Sequence, residues 1–250
     1  MKKKFLVEVC ANSVPSAIAA QKGGANRVEL CDNLYEGGTT PSFGTIKFAR
    51  EALSIKLNVM IRPRGNDFCY SHHEFDIMKA DIEMAKKLGA DGVVFGILLP
   101  NAIIDLERTA ELVQLSRPMT VTFHRAFDMT PDLNESLEML IKLGIDCVLT
   151  SGGKNKAHDA IQVLAGLNKQ ATGRISVMAG SGINEQNILE IEANTGLSAF
   201  HVSLRKKIDS LMIYRKTNIF MGGLPEIPEY ELAVTDENRV KMLVELLNGG

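Results

Sequence analysis

Short apolar runs rich in β-branched residues recur along the chain, and each is followed by an amphipathic stretch. The runs fall at 5–10, 27–31, 57–62, 92–97, 120–125, 147–151, 175–179 and 200–204. The amphipathic stretches fall at 13–23, 42–52, 72–88, 106–115, 133–143, 157–171, 185–193 and 237–247. Brief apolar runs bounded by turn residues suit buried parallel strands, and the longer 3.6-periodic stretches suit helices covering them. Eight such units in 250 residues match a single TIM (β/α)8 barrel, a fold of typically ~250 residues. A doubly wound open sheet rarely needs eight units and advertises a glycine-rich first turn. None is present, and no nucleotide cofactor is predicted.

The punctuation agrees with this division. Ser13 before Val14-Pro15 and Thr130 before Pro131 read as helix caps followed by a proline in the first turn. Gly23, Gly89, Gly144 and Gly196 each follow a helical stretch, where a left-handed residue is expected. One domain over 1–250 is expected, with an irregular loop at 206–234 after the eighth strand and a final helix at 235–248. The loop holds Met221-Gly222-Gly223 and Pro225-Glu226-Ile227-Pro228. Loops of that length commonly cover a site or an interface, and its apolar residues between Ile208 and Met221 suggest a homodimer or larger homo-oligomer.

Composition narrows the possibilities. The chain is 45% hydrophobic and 23% charged with a formal net charge of -2, so it lacks the concentrated basic face a nucleic-acid binder needs. Lys2-Lys3-Lys4 precedes an apolar run that Glu8 and Asn12 interrupt, which suits neither a signal peptide nor a membrane span. A cytoplasmic protein is expected, with its 4 cysteines reduced.

Barrels of this kind place their chemistry at the C-terminal ends of the strands. Alternation along a strand puts Glu8 with Cys10, and Glu29 with Cys31, on one face each. The two strands should be parallel neighbours, so two thiols and two carboxylates converge. Buried carboxylates need partners, and Arg62, Arg64 and Arg125 at later strand ends are the obvious ones, acting as an anion clamp or a structural ion network. His124, and more weakly His201, stand where a general acid/base or a metal ligand would stand. The turns holding Gly152-Gly153 and Gly180-Ser181-Gly182 follow strands six and seven, where backbone amides often cradle a phosphate. Paired thiolates from adjacent strands suit Cu(I), and Cys69 after strand three is close enough to join them. With no CxxC spacing, a four-ligand structural zinc is disfavoured. Cys10 and Cys31 also suit simple packing.

A set of longer stretches carries a family resemblance: Glu8-Val9-Cys10, Arg27-Val28-Glu29-Leu30-Cys31, Gly37-Gly38-Thr39-Thr40-Pro41-Ser42 and Met60-Ile61-Arg62-Pro63-Arg64-Gly65-Asn66-Asp67-Phe68-Cys69-Tyr70. Gly89-Ala90-Asp91-Gly92-Val93-Val94-Phe95-Gly96, Thr122-Phe123-His124-Arg125-Ala126-Phe127-Asp128, Leu149-Thr150-Ser151-Gly152-Gly153 and Phe200-His201 continue it. Over about 5–203 the sequence resembles the CutC family of copper homeostasis proteins. The resemblance implies a TIM barrel, copper handling in the cytoplasm, and Cys10 and Cys31 as Cu(I) ligands. Ala179-Gly180-Ser181-Gly182 departs from the Pro-Gly-Gly-Gly that relatives tend to carry.

Two functions follow. One is Cu(I) binding through Cys10 and Cys31. The other is an enzyme for a small anionic or sugar-like molecule, with Arg62, Arg64 and Arg125 as clamp, His124 moving a proton, and Glu8 or Glu29 as acid/base partner.

Overall fold

The computed structural model describes residues 4–221 and 227–249. Gly222, Gly223 and Pro225 of the late loop, like Lys2 and Lys3, lie outside the described residues. Strands β1 (Leu6–Ala11), β2 (Arg27–Leu30), β3 (Lys56–Met60), β4 (Gly92–Phe95), β5 (Thr120–Phe123), β6 (Cys147–Thr150), β7 (Ser176–Gly180) and β8 (Ala199–Val202) form a closed parallel barrel in sequence order. Helices α1 (Val14–Lys22), α2 (Phe43–Ala52), α3 (His72–Lys87), α4 (Leu106–Ser116), α5 (Leu133–Lys142), α6 (Ile161–Ala171) and α7 (Ile188–Thr195) follow the first seven strands. Helix α8 (Glu237–Gly249) follows a hairpin after β8. Among the described residues no helix is long and apolar enough to cross a membrane.

Strand alternation divides the interior in two. Val7, Val9, Val28, Leu30, Leu57 and Val59 point outward into the core shared with the helices. Their neighbours Glu8, Cys10, Glu29, Asn58 and Met60 therefore face the lumen, all buried. The lumen is thus sulfur-rich and charged, with one apolar cluster of Cys10, Cys31, Met60 and Val94 and another of Cys147, Leu149, Met178 and Ala199. Closure of β8 on β1 sets Glu8 opposite His201, and the β1–β2 register sets Cys10 opposite Glu29.

Several local expectations change. Ser13 caps α1, accepting from Ser16 N at 3.3 Å. The cap of α5, however, is Asp132, which accepts from Asn134 N at 2.8 Å and Glu135 N at 3.0 Å. Thr130 instead donates to Phe127 O. A carboxylate at a helix N-terminus gains from the macrodipole as well as the hydrogen bonds, about 1 kcal/mol in all. Gly23 is right-handed at φ -72, and the left-handed turn falls one residue later at Gly24, φ +89. Gly23 is small for another reason: a Cβ there would lie 2.6 Å from Val240 Cβ of α8.

Nor is 206–234 irregular throughout. It carries β9 (Arg205–Asp209) and β10 (Glu231–Thr235), paired antiparallel from Arg205↔Thr235 to Asp209↔Glu231. The Lys207–Glu231 ion pair at 2.8 Å bridges the two strands. The charged side chains of this short ladder hide the usual apolar strand signature. Beyond it Leu211 and Ile213 are each 99% exposed.

Candidate functional site

At the mouth of the barrel lies a cavity of about 540 Å³ whose lining includes Cys10, Glu29, Met60, Arg62, Phe68, His124, His201 and Arg205. Its floor on the β1–β2 side brings together the predicted thiols and acids. The Cys10 and Cys31 sulfurs are 3.4 Å apart, and the ligand atoms of Cys10, Glu29 and Cys31 all lie within 4.8 Å of one another. The thiol of Cys31 and the cations His201 and Arg205 lower the Cys10 thiol well below its ordinary value, and Cys31 is raised in consequence. One thiolate hydrogen-bonded by one thiol is the expected state.

The two glutamates part company. Glu8 is fully buried and accepts from Arg27 Nε at 2.5 Å and His201 Nδ1 at 2.8 Å. Burial alone would raise its pKa, but these cations hold it down to about 2. Burial pushes Glu29 up to about 8, despite His201 Nε2 at 3.7 Å from Oε2. His201, although buried, is raised well above its ordinary value by Glu29, Cys10 and Glu8 and stays charged. Glu8 is therefore a fixed anion below the cavity, whereas burial works against the charge of Glu29 on its wall and His201 works for it.

His124 follows β5 and is 4% exposed. Its Nδ1 accepts from Ala126 N at 3.2 Å, so the hydrogen sits on Nε2. Burial and the neighbouring Arg62 lower its pKa to about 3. The ring is held toward its neutral form, with the Nδ1 lone pair engaged and Nε2–H as a donor. Gly96 makes room for it, since a Cβ there would lie 2.6 Å from His124 Cε1 and Nδ1.

The expected arginine clamp is largely committed elsewhere. Arg62 Nη1 donates to Glu36 O and Gly38 O, and Nη2 to Asn66 O, tying together the loops after β2 and β3. Arg64 pairs with Glu74 at 2.6 Å and Asp67 at 3.0 Å and does not line the cavity. Arg125 lines it but is held by Asp128 at 2.8 Å and Ser151 Oγ at 2.7 Å. None pairs with Glu8 or Glu29, because Arg27 and His201 reach Glu8 from the adjacent strands.

The glycine turn after β6 is also filled. Asp128 accepts from Thr150 Oγ1 at 2.5 Å, Gly153 N at 3.0 Å and Ser151 N at 3.0 Å. Gly152 N donates to Thr150 Oγ1. The chain's own carboxylate occupies the cradle expected for an external anion. After β7, Gly182 lines the cavity with φ +72 and Gly180 does not line it. Cys69 is exposed and apart from the thiol pair.

Three polar atoms on the cavity residues have no partner among the described residues: Glu29 Oε1, Arg62 Nε and His124 Nε2. An unpartnered buried polar atom costs about 1–3 kcal/mol, so each marks a place where stability is given up.

The model of the CutC family matches residues 5–206. The chain belongs to the CutC family. It is 52% identical over 244 residues to a CutC family protein of Bacteroides fragilis, covering 97% of each chain. It is 47% identical to the human copper homeostasis protein cutC homolog, over 96% of this chain and 88% of the relative. The crystal structure of CutC from Streptococcus agalactiae superposes with a TM-score of 0.77 at 38% identity, covering 80% of this chain and 98% of the other. Phosphoribosyl anthranilate isomerase of Thermotoga maritima shares the fold alone, at 11% identity and TM-score 0.59.

Three residues of this CutC site escaped sequence reasoning: Arg27, Met60 and Arg205. Arg27 was legible in principle, because it sits two residues before Glu29 and so shares its face; nothing in the sequence singled out Met60. Arg205 opens β9, whose charged residues carry no such signal.

Proposed function

We propose that this CutC chain handles Cu(I) in the reducing cytoplasm, holding the ion between Cys10 and Cys31. The reading rests on one observation: two sulfurs 3.4 Å apart in a buried cluster beneath a cavity. The donors suit the ion. Thiolate and thioether sulfur favour Cu(I), and Met60 packs in the same cluster as the thiols. Zinc would want four ligands and usually nitrogen or sulfur throughout, whereas the group here is two thiols and the Glu29 carboxyl.

The chain's own residues prepare the site. His201 and Arg205 place positive charge beside Cys10 and favour its thiolate, and Glu8 anchors His201. Cys10, at 8% exposure, is the sulfur that meets the cavity, with Cys31 beneath it at 1%. A copper cargo would therefore reach Cys10 first. The enzyme alternative lacks a free base at His124, since the Nδ1 lone pair already accepts from Ala126 N.

An anaerobic competition titration against a calibrated Cu(I) chelator tests the proposal. Stoichiometric binding in the wild type, lost in Cys10→Ser/Cys31→Ser, is the expected result; equal affinity in both would end it. The exposed Leu211, Ile213 and Met221 support the further proposal that this segment seats against a second copy. A monomeric mass by light scattering would refute that.

A further inference from the structure

A copper ion needs neither a cavity of 540 Å³ nor the wall that faces the thiols across it. In an eight-strand ring β5 stands opposite β1, so His124 lies across the barrel mouth from Cys10. We infer that this wall receives a small organic carboxylate, one oxygen of which accepts from His124 Nε2–H and Arg62 Nε–H. The inference goes beyond the copper reading and does not depend on it.

Both atoms are donors, both side chains are 96% buried (4% exposed), and neither atom has a partner among the described residues. The Nδ1–Cε1 edge of His124 is turned to Ala126 and Gly96. Nε2, on the other edge of the ring, is left without a partner among the described residues, and His124 lines the cavity. On Arg62, carbonyl oxygens take three of the five N–H groups, leaving Nε–H and one Nη2–H, with the buried Tyr70 hydroxyl within reach of the same guanidinium. Phe68 packs on both residues, 4.9 Å from the His124 ring and 5.0 Å from Arg62 Cζ, and holds them in place.

The occupant must bring an acceptor, because both free groups donate, and the guanidinium favours an anion. The remainder of the lining decides between an inorganic and an organic anion. Leu34, Met60, Phe68, Leu149 and Ile183 give the lining apolar surface that would contact a carbon skeleton, and a volume of this size is typical of small-molecule sites. The turn best shaped for phosphate, after β6, is already filled by Asp128.

The test uses copper-free wild-type protein under reducing conditions, with pyruvate, succinate and benzoate as probes and sulfate and phosphate as controls at matched ionic strength. Calorimetry should show saturable binding of at least one carboxylate, tighter than either inorganic anion. His124→Leu should weaken it about tenfold or more, the loss of one charge-assisted hydrogen bond, and His124→Gln, which keeps a donor, should restore most of it. Should His124→Leu fail to fold, the ¹⁵N shift of wild-type His124 Nε2 should move saturably with the same probe. No saturable carboxylate binding, equal or tighter sulfate or phosphate binding, unchanged affinity in His124→Leu, or an unmoved Nε2 signal would each overturn the inference. Cu(I) affinity is read separately, so such a failure leaves the thiol reading standing.

Discussion

Two polar clusters share the top of this barrel, and they are built on opposite plans. Around Asp128, after β5 and β6, every arriving donor is used: Thr150, the amides of Ser151 and Gly153, Ser151 Oγ and Arg125 all meet one carboxylate. Along the cavity, Glu29, Arg62 and His124 each keep a buried polar atom unpartnered among the described residues, and two thiols lie in contact without a bond. A saturated cluster holds loops in position; an unsaturated one has been left open to something from outside. From sequence the two looked alike, since both are strings of Gly, Ser, Arg and acidic residues at strand ends. Hydrogen-bond completeness separates architecture from chemistry here.

The comparison breaks most visibly in the lumen. Glu8→Ala strands Arg27 in the barrel interior, and removing one partner of a buried pair costs about 3–5 kcal/mol; urea denaturation would show it. The same residue has a pH signature. With its folded pKa held down to about 2 against an ordinary 4.5, Glu8 contributes stability that is present above pH 4.5 and lost as pH falls toward 2. Acid unfolding of the variant should lack that window. Wild-type stability after Glu8→Ala would show that the charged lumen is not structural.

Asp128→Ala should come next, at about 2–3 kcal/mol, because it leaves the amides of Ser151 and Gly153 and the Arg125 guanidinium without their anion. Cu(I) affinity of the folded protein should be unchanged. A copper-affinity loss as large as the stability loss would erase the distinction between the clusters. Met60→Leu is the smallest change. Such swaps cost under about 1.5 kcal/mol in stability, but the loss of the thioether should weaken Cu(I) binding about tenfold by the same chelator competition.

Most of the barrel was legible because its signal is periodic and repeated eight times. The thiol–acid convergence was legible for the same reason: alternation on β1 and β2 fixes which face Glu8, Cys10 and Glu29 share, whatever the rest of the chain does. The partners were not. His201 reaches Glu8 across 193 residues because β8 closes on β1, and Arg27 reaches it through a register that only the paired strands define. The arginines chosen instead, Arg62 and Arg64, find acceptors in the loops after β2 and β3 and at the start of α3. The glycine turn at Gly152-Gly153 misled for a related reason, since local sequence shows a cradle but not the Asp128 carboxylate that folds into it from the preceding strand end. Strand β9 was missed because Arg205, Lys206 and Lys207 resemble a solvated loop until Glu231 is placed opposite.

The most direct test of the account is X-ray absorption at the copper edge on protein loaded anaerobically with one equivalent of Cu(I). A sulfur-dominated first shell is expected in the wild type, with the sulfur contribution reduced in Met60→Leu and abolished in Cys10→Ser/Cys31→Ser. A first shell of nitrogen and oxygen alone, or one unchanged in the double variant, would contradict it.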